Sequence, residues 1–187
     1  MKLVNEKLTN ELMLEYNIEE DTIVRKTERL KILCLSLKDM ELLTKGIGEE
    51  EFEKSKGFTI SKPNEIEKEL AREIYSLALN NEKDRLWFRL WRFISVQDNK
   101  KVGGALFKGA PNENGEVEIG YGIDDEYQCQ GYATEAIKET IKWALEQEGV
   151  LSVIAETEKD NIPSQKVLQK IGMIKYAESD TAFLWRM

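Results

Sequence analysis

The chain has 187 residues, 41% apolar and 33% charged, with 35 acidic against 27 basic side chains and a net charge of −8. That balance predicts one globular domain that needs no staples; no apolar run reaches the roughly 20 residues of a membrane span, and the negative charge disfavours nonspecific nucleic-acid binding. With no histidine and only Cys34 and Cys129 as thiols, Ser-His-Asp and Cys-His catalysis are excluded, a disulfide framework is not expected, and a zinc site would need more ligands.

The segment Met1 to Thr9 carries two lysines and no apolar core, so it does not read as a secretory signal, and a cytoplasmic location is expected. Residues 1–23 form an accessory segment whose first 20 residues suggest a helix around Leu8, Leu12, Met13 and Leu14; the domain proper spans 24–187. Thr27 to Ser36 reads as a strand with Leu30, Ile32, Cys34 and Ser36 on one face. Lys38 to Lys45 is a short helix, with Asp39 where a capping or first-turn acid is favourable. Residues 46–61 are acidic and contain glycine, and fit a loop or a short helix. Pro63 sits where helices begin, and Ile66, Leu70, Ile74, Leu77 and Ala78 predict a helix over 63–80.

Leu86 to Val96 contains Trp87, Phe88, Trp91 and Phe93 and is best read as a strand. Those aromatics fit either a core or the lining of an acceptor pocket. Lys101 to Lys108 is a second strand, Pro111 to Gly115 a turn, and Glu116 to Ile123 a third strand. In the third strand Val117, Ile119, Tyr121 and Ile123 alternate with Glu118, Gly120 and Gly122. The two glycines fit either a ligand's close approach or a twisted central strand.

From Gly131 a helix follows, with Ala133, Ala136, Ile137, Ile141, Ala144 and Leu145 as its apolar stripe, Glu135, Lys138, Glu139 and Lys142 toward water, and Gly149 as its stop. Leu151 to Thr157 is a strand, Pro163 to Lys170 a helix stopped by Gly172, and Met173 to Ala177 and Ala182 to Met187 are closing strands. The fold class is therefore α/β. It has a central mixed, mostly antiparallel sheet of six or seven strands with helices on both faces, and one parallel pair is joined by the helix at 131–148.

The chemically informative stretch is Asp124 to Glu135, which links a strand to a helix N-terminus. Exposed N–H groups and the helix dipole there make an anion site, and Gly131 removes a Cβ where a phosphate would approach. An ordinary turn fits the same pattern. Neither a P-loop nor a dinucleotide-binding glycine pattern is present.

Gln128-x-x-Gly131-x-Ala133 resembles the Gln/Arg-x-x-Gly-x-Gly/Ala pattern of the GNAT superfamily of N-acetyltransferases. Glu118-Ile-Gly-Tyr-Gly-Ile123 resembles its fourth strand, and Tyr132-Ala-Thr-Glu-Ala136 resembles the helix start of the branch containing ribosomal-protein N-terminal acetyltransferases. Asn161-Ile-Pro-Ser164 with Val167 to Gly172 resembles that branch's Asn-x-x-Ser…Gly element, and Thr27-Glu-Arg-Leu30 its opening strand. These elements occur in family order and cover about residues 24–187. The resemblance implies a sheet splayed between Glu116–Ile123 and Leu151–Thr157, and acetyl-CoA as cosubstrate. It implies pyrophosphate binding by Gln128, Cys129, Gln130, Gly131, Tyr132, Ala133 and Thr134, a pantetheine path beside Ile119 and Tyr121, and CoA contacts from Asn161 and Ser164. Asn161 also fits a helix cap, with Ser164 supporting it.

The implied reaction is direct attack of a primary amine, on a small molecule or a protein N-terminus, on the thioester. Glu156 and Glu118 are the candidate bases, and each also fits a solvated strand carboxylate. Many family members carry a Tyr in the helix after the Asn; here that stretch reads Val167-Leu168-Gln169. This departure leaves the acid unassigned and keeps open a CoA-binding regulatory domain without catalysis. Cys129 lies in the pyrophosphate loop, away from the thioester, which argues against a nucleophile. No metal is called for. The acidic balance, including Glu49 to Glu51, Glu53, Asp124 to Glu126 and Glu156, favours a cationic acceptor, although the same charge also fits solubility alone. Neither a nucleic-acid nor a membrane partner is expected, and the protein is a monomer or a homodimer.

Overall fold

The computed structural model describes residues 22–44, 58 and 65–187. The helix expected in the first 20 residues, the loop at 46–61 apart from Phe58, and the helix start at Pro63 lie outside the described residues, as do Glu49 to Glu51 and Glu53.

The chain opens with β1 (Ile23–Lys26) and β2 (Leu30–Cys34), then α1 (Leu37–Thr44) and α2 (Glu65–Asn80). Next come β3 (Trp91–Ser95), β4 (Lys101–Phe107) and β5 (Glu116–Ile123). α3 (Tyr132–Leu145), β6 (Ser152–Glu158), α4 (Ile162–Ile171), β7 (Ile174–Glu178) and β8 (Ala182–Arg186) complete it. Among the described residues the strands form one eight-stranded sheet in the order β1-β2-β3-β4-β5-β6-β8-β7. All its pairings are antiparallel except β5 with β6, where α3 supplies the crossover a parallel pair requires.

Three local expectations change. The strand read from Thr27 to Ser36 is shorter, and β1 precedes it as the eighth strand. Thr27 turns the chain: its N–H bonds the Leu30 carbonyl at 2.9 Å and its hydroxyl accepts the Leu30 N–H at 3.0 Å. Ser36 is not on the strand face. Its hydroxyl accepts the Asp39 N–H at 3.0 Å while Asp39 accepts the Ser36 N–H at 3.3 Å, a reciprocal cap that starts α1. The strand read from Leu86 is first a 3-10 turn at Arg85–Trp87, with β3 beginning only at Trp91.

Alternation along β2 shows why helices cover both faces. Leu30, Ile32 and Cys34 join a cluster with Val117, Ile119, Ala136, Ile137, Val153 and Leu168, which belongs to the α3 and α4 side. Leu33 joins Met40, Ala71, Ile74 and Ile94 on the α1 and α2 side. β2 is buried at every position because both faces are covered.

The aromatic stretch is core. Trp91 and Phe93 have no exposed area and Trp87 only 6%. Trp143 of α3 sits 4.6 Å from Trp91 and 5.5 Å from Trp87 between ring centroids, with Phe107 at 5.8 Å. No helix of the described residues is long and apolar enough to cross a membrane.

Trp143 clamps α3 to the sheet, so Trp143→Ala removes a ring from a packed cluster. The expected loss is about 3–5 kcal/mol of unfolding free energy, read as a lower denaturant midpoint. A midpoint equal to that of the wild type would contradict the clamping role.

Candidate functional site

The parallel pairing of β5 and β6 stops early. Its register runs Glu116↔Ser152, Val117↔Val153 and Glu118↔Ile154 and then ends. β5 continues to Ile123, still paired with β4 from Phe107↔Ile119 to Gly103↔Ile123, while β6 continues to Glu158 paired with β8. The sheet is therefore split from Ile119 onward. The Glu118 carbonyl accepts from Lys108 on the β4 side at 2.9 Å. Alternation then turns the backbone groups of Tyr121 toward the split, where β6 offers no partner.

The mouth of the split is set by the loop after β5. A 3-10 turn at Asp125–Tyr127 leads to Cys129 and Gly131, both left-handed, at φ 59° and 85°. The glutamine side chains shape this loop. Gln128 Nε2 donates to the Ile123 carbonyl at 3.1 Å and to Asp125 Oδ1 at 2.9 Å, and Gln130 Nε2 donates to the Glu126 carbonyl at 2.9 Å. Cys129 is exposed and free. Gly131 is the N-cap of α3 and supplies no capping side chain. Among the described residues, the N–H groups of Gln130, Gly131, Tyr132, Ala133 and Thr134 have no acceptor; the first helical bond is Glu135 N–H to the Gly131 carbonyl at 3.2 Å. Five consecutive free donors at a positive helix end favour an anion.

A tether missed from the sequence fixes this loop. Glu135, expected to face water, is only 18% exposed in its side chain. It accepts the Thr27 hydroxyl at 2.5 Å, the Arg29 N–H at 2.8 Å and Arg29 Nε at 2.7 Å. Arg29 also donates to the Gln130 carbonyl at 2.9 Å and lies 4.6 Å from the centroid of the Tyr132 ring. Thr27 and Arg29 belong to the segment that carried the opening-strand resemblance, but nothing local joins them to position 135.

On the far side of the split, Asn161 caps α4: its Oδ1 accepts the Ser164 N–H at 3.1 Å. The Tyr121 and Ser164 hydroxyls are 2.7 Å apart, joining β5 to α4. Burial raises the Tyr121 pKa, and the Ser164 bond opposes this less strongly, so the phenol stays protonated at neutral pH. The two carboxylates expected as bases share the opposite face of the sheet, because Glu118 and Ile154 are in register and Glu156 follows Ile154 by two. Glu118 pairs with Lys108, although its buried Oε1 lacks hydrogen-bond geometry to any group. Glu156 is exposed, with no hydrogen-bond or ion-pair partner among the described residues.

Residues 29–174 match the family model described as the acetyltransferase (GNAT) domain. The chain is 40% identical over 87 residues to the uncharacterized N-acetyltransferase YjdG of Bacillus subtilis, covering 46% of this chain and 52% of that protein. The match thus spans about half the length of that relative. Its fold is similar to that of the ribosomal-protein-S5-alanine acetyltransferase from Vibrio fischeri, with TM-score 0.62 and 15% identity over 88% of this chain and 96% of that one. It is also similar to a ribosomal L7/L12 alpha-N-protein acetyltransferase solved in complex with coenzyme A, with TM-score 0.59 and 13% identity over 88% and 97% of the two chains.

Glu135 gives a pH signature. Its burial raises its pKa, but the bonds from Thr27 and Arg29, with the Arg29 charge, outweigh that and leave it below the ordinary value. A depressed folded pKa stabilises the protein above the unfolded carboxylate value, and that share is lost as pH falls through the folded value. Glu135→Gln should therefore be less stable than wild type at neutral pH, with the gap in melting temperature closing as pH falls below the ordinary carboxylate value and through the lower folded one. A gap that stays constant over that range would contradict the assignment.

Proposed function

The chain belongs to the GNAT acetyltransferase domain family, and from that premise we propose that it transfers an acetyl group from acetyl-CoA to a primary amine by direct attack on the thioester. The observation that carries this reading is the split after Glu118↔Ile154 lying next to a run of free N–H groups at the start of α3.

The pyrophosphate takes the N–H groups from Gln130 to Thr134, while the side chains of Gln128 and Gln130 hold the loop in shape around Cys129. Gly131 fits this role on two counts: its φ of 85° disfavours a side chain, and an added Cβ would come within 3.3 Å of Arg29 Nη2. The pantetheine arm runs into the split past Ile119 and Tyr121. On its other side it meets Asn161, whose amide nitrogen is left over by the cap, and Ser164. The Tyr121 N–H polarises the thioester carbonyl. The amine enters from the opposite face, its nitrogen bonds to the acetyl carbon, and the carbon–sulfur bond breaks to release the thiolate.

Glu156 takes the amine's proton, directly or through water. It lies two residues past the last β5–β6 pair and its carboxylate has no partner among the described residues. Glu118 sits within the paired stretch and is held by Lys108, so it serves better as a fixed charge. Of the described acids expected to attract a cation, Asp124 is paired with a base and Asp125 holds the loop, while Glu156 has no ion-pair partner among the described residues. Asp124 takes Lys101 at 2.9 Å and Asp125 accepts from Gln128.

The primary experiment is thiol release from acetyl-CoA across an amine panel. Gly131→Glu should weaken acetyl-CoA binding by at least about tenfold, the equivalent of one charge-assisted hydrogen bond, with a native circular dichroism spectrum. A folded variant that binds as well as wild type would reject the pyrophosphate site. Glu156→Gln should lower turnover by about 10²–10⁴-fold, most severely at low pH where the acceptor is an ammonium. If the matched Glu118→Gln variant alone loses turnover, the base is Glu118, and if neither does, water takes the proton.

A further inference from the structure

The face from which the amine enters carries a cation that has no ion-pair partner among the described residues. Arg92 of β3 lies in register with Gly104 on β4, which lies in register with Gly122 on β5. The three residues cross the sheet on one face, and β5 then borders the split. Arg92 extends along this row: a Cβ on Gly104 would sit 3.2 Å from its Nη1. Beyond it the row is open, since a Cβ on Gly122 would meet nothing within 4 Å.

The acids around Arg92 are committed elsewhere. Glu67 and Asp124 both act on it through space. However, Asp124 gives both oxygens to Lys101 Nζ at 2.9 Å, and Glu67 lies 3.7 Å from the same nitrogen. Among the described residues, no acceptor is within hydrogen-bond or ion-pair distance of the Arg92 guanidinium. Burial pulls its pKa down, and Glu67 and Asp124 only partly offset that. Leaving a charge desolvated and unpaired is costly unless a ligand completes it.

We propose that Arg92 binds a carboxylate carried by the acceptor amine, so that the substrate class is a primary amine with a carboxylate several bonds from its nitrogen. The proposal rests on the acetyltransferase reading given above. A guanidinium fork matches a carboxylate in two parallel hydrogen bonds. A dianionic phosphate fits less well, because Glu67 and Asp124 would repel its second charge. Position sets the chain length. From Gly104 to the middle of the split is about one and a half strand spacings, roughly 7 Å. Subtracting a charge-assisted hydrogen bond of about 2.8 Å leaves roughly 4–5 Å between amine and carboxylate, more than an α-amino acid spans.

The test compares γ-aminobutyrate and δ-aminovalerate with their amides, and with glycine, as acceptors at saturating acetyl-CoA. Wild type should prefer the longer acids over their amides by about 10–100-fold in kcat/KM, the scale of hydrogen bonds to a charged group. Arg92→Met should erase that preference while leaving acetyl-CoA affinity and amide turnover unchanged, and Arg92→Lys should recover part of it. The melting temperature of Arg92→Met should stay level or rise, since a half-buried charge with no ion-pair partner among the described residues is removed. A clear fall would mark Arg92 as structural and overturn the proposal, as would equal use of acids and amides or a preference that survives in Arg92→Met. If acetyl-CoA binds but no amine is acetylated, the acetyltransferase reading fails first. Calorimetric binding of δ-aminovalerate then decides Arg92: binding lost in Arg92→Met supports the proposal, and no binding to wild type overturns it.

Discussion

Everything proposed for this protein depends on one interruption: β5 and β6 pair over three residues and then part. A parallel ladder would otherwise use every backbone group along both strands. Stopping it at Glu118↔Ile154 leaves polar backbone facing an opening, a costly arrangement unless water or a ligand fills it. β5 stays straight beyond the split because β4 holds it from Ile119 to Ile123, and β6 stays straight because β8 holds it from Ile154 to Glu158. Each edge of the opening is thus fixed by a neighbour that does not itself face the opening.

The loop at the mouth is held for a different reason. Its own residues supply the internal bonds of Gln128 and Gln130, but its position relative to the sheet comes from Glu135. That carboxylate gathers three donors from the β1–β2 turn. A short, charge-assisted network of this kind orients α3 more firmly than apolar packing alone, because hydrogen bonds are directional and packing is not. The site is therefore assembled from segments 108 residues apart, and the tether positions the start of α3 with its free N–H groups.

The two faces of the sheet divide the work. The α3 and α4 side carries the loop, the Asn161 cap and the Tyr121–Ser164 pair, and it is backed by the Trp87, Trp91, Phe107 and Trp143 cluster. The opposite side carries Glu118, Glu156, Gly122 and Arg92, which are charged groups or bare backbone. The aromatic residues that fit an acceptor pocket in sequence are buried in the first of these sides. The acceptor site proposed above therefore lies on the charged face.

The sequence by itself determined the order of elements from β3 onward, the strand–loop–helix setting of Gly131, the stops and caps at Asn161 and Gly172, and the family resemblance. These are local matters: period, turn chemistry and capping act over a few residues and are written in contiguous stretches. The tertiary structure alone decided where β5 and β6 part, that β1 adds an eighth strand, and that Trp87 belongs to a turn. It alone joined Thr27 and Arg29 to Glu135, and Tyr121 to Ser164, and it left Arg92 without an ion-pair partner among the described residues. The physical reason is the same in each case. A side chain such as Glu135 has the same local pattern whether it faces water or a partner 108 residues away, and a strand's periodicity says which face a residue takes but not what lies across from it.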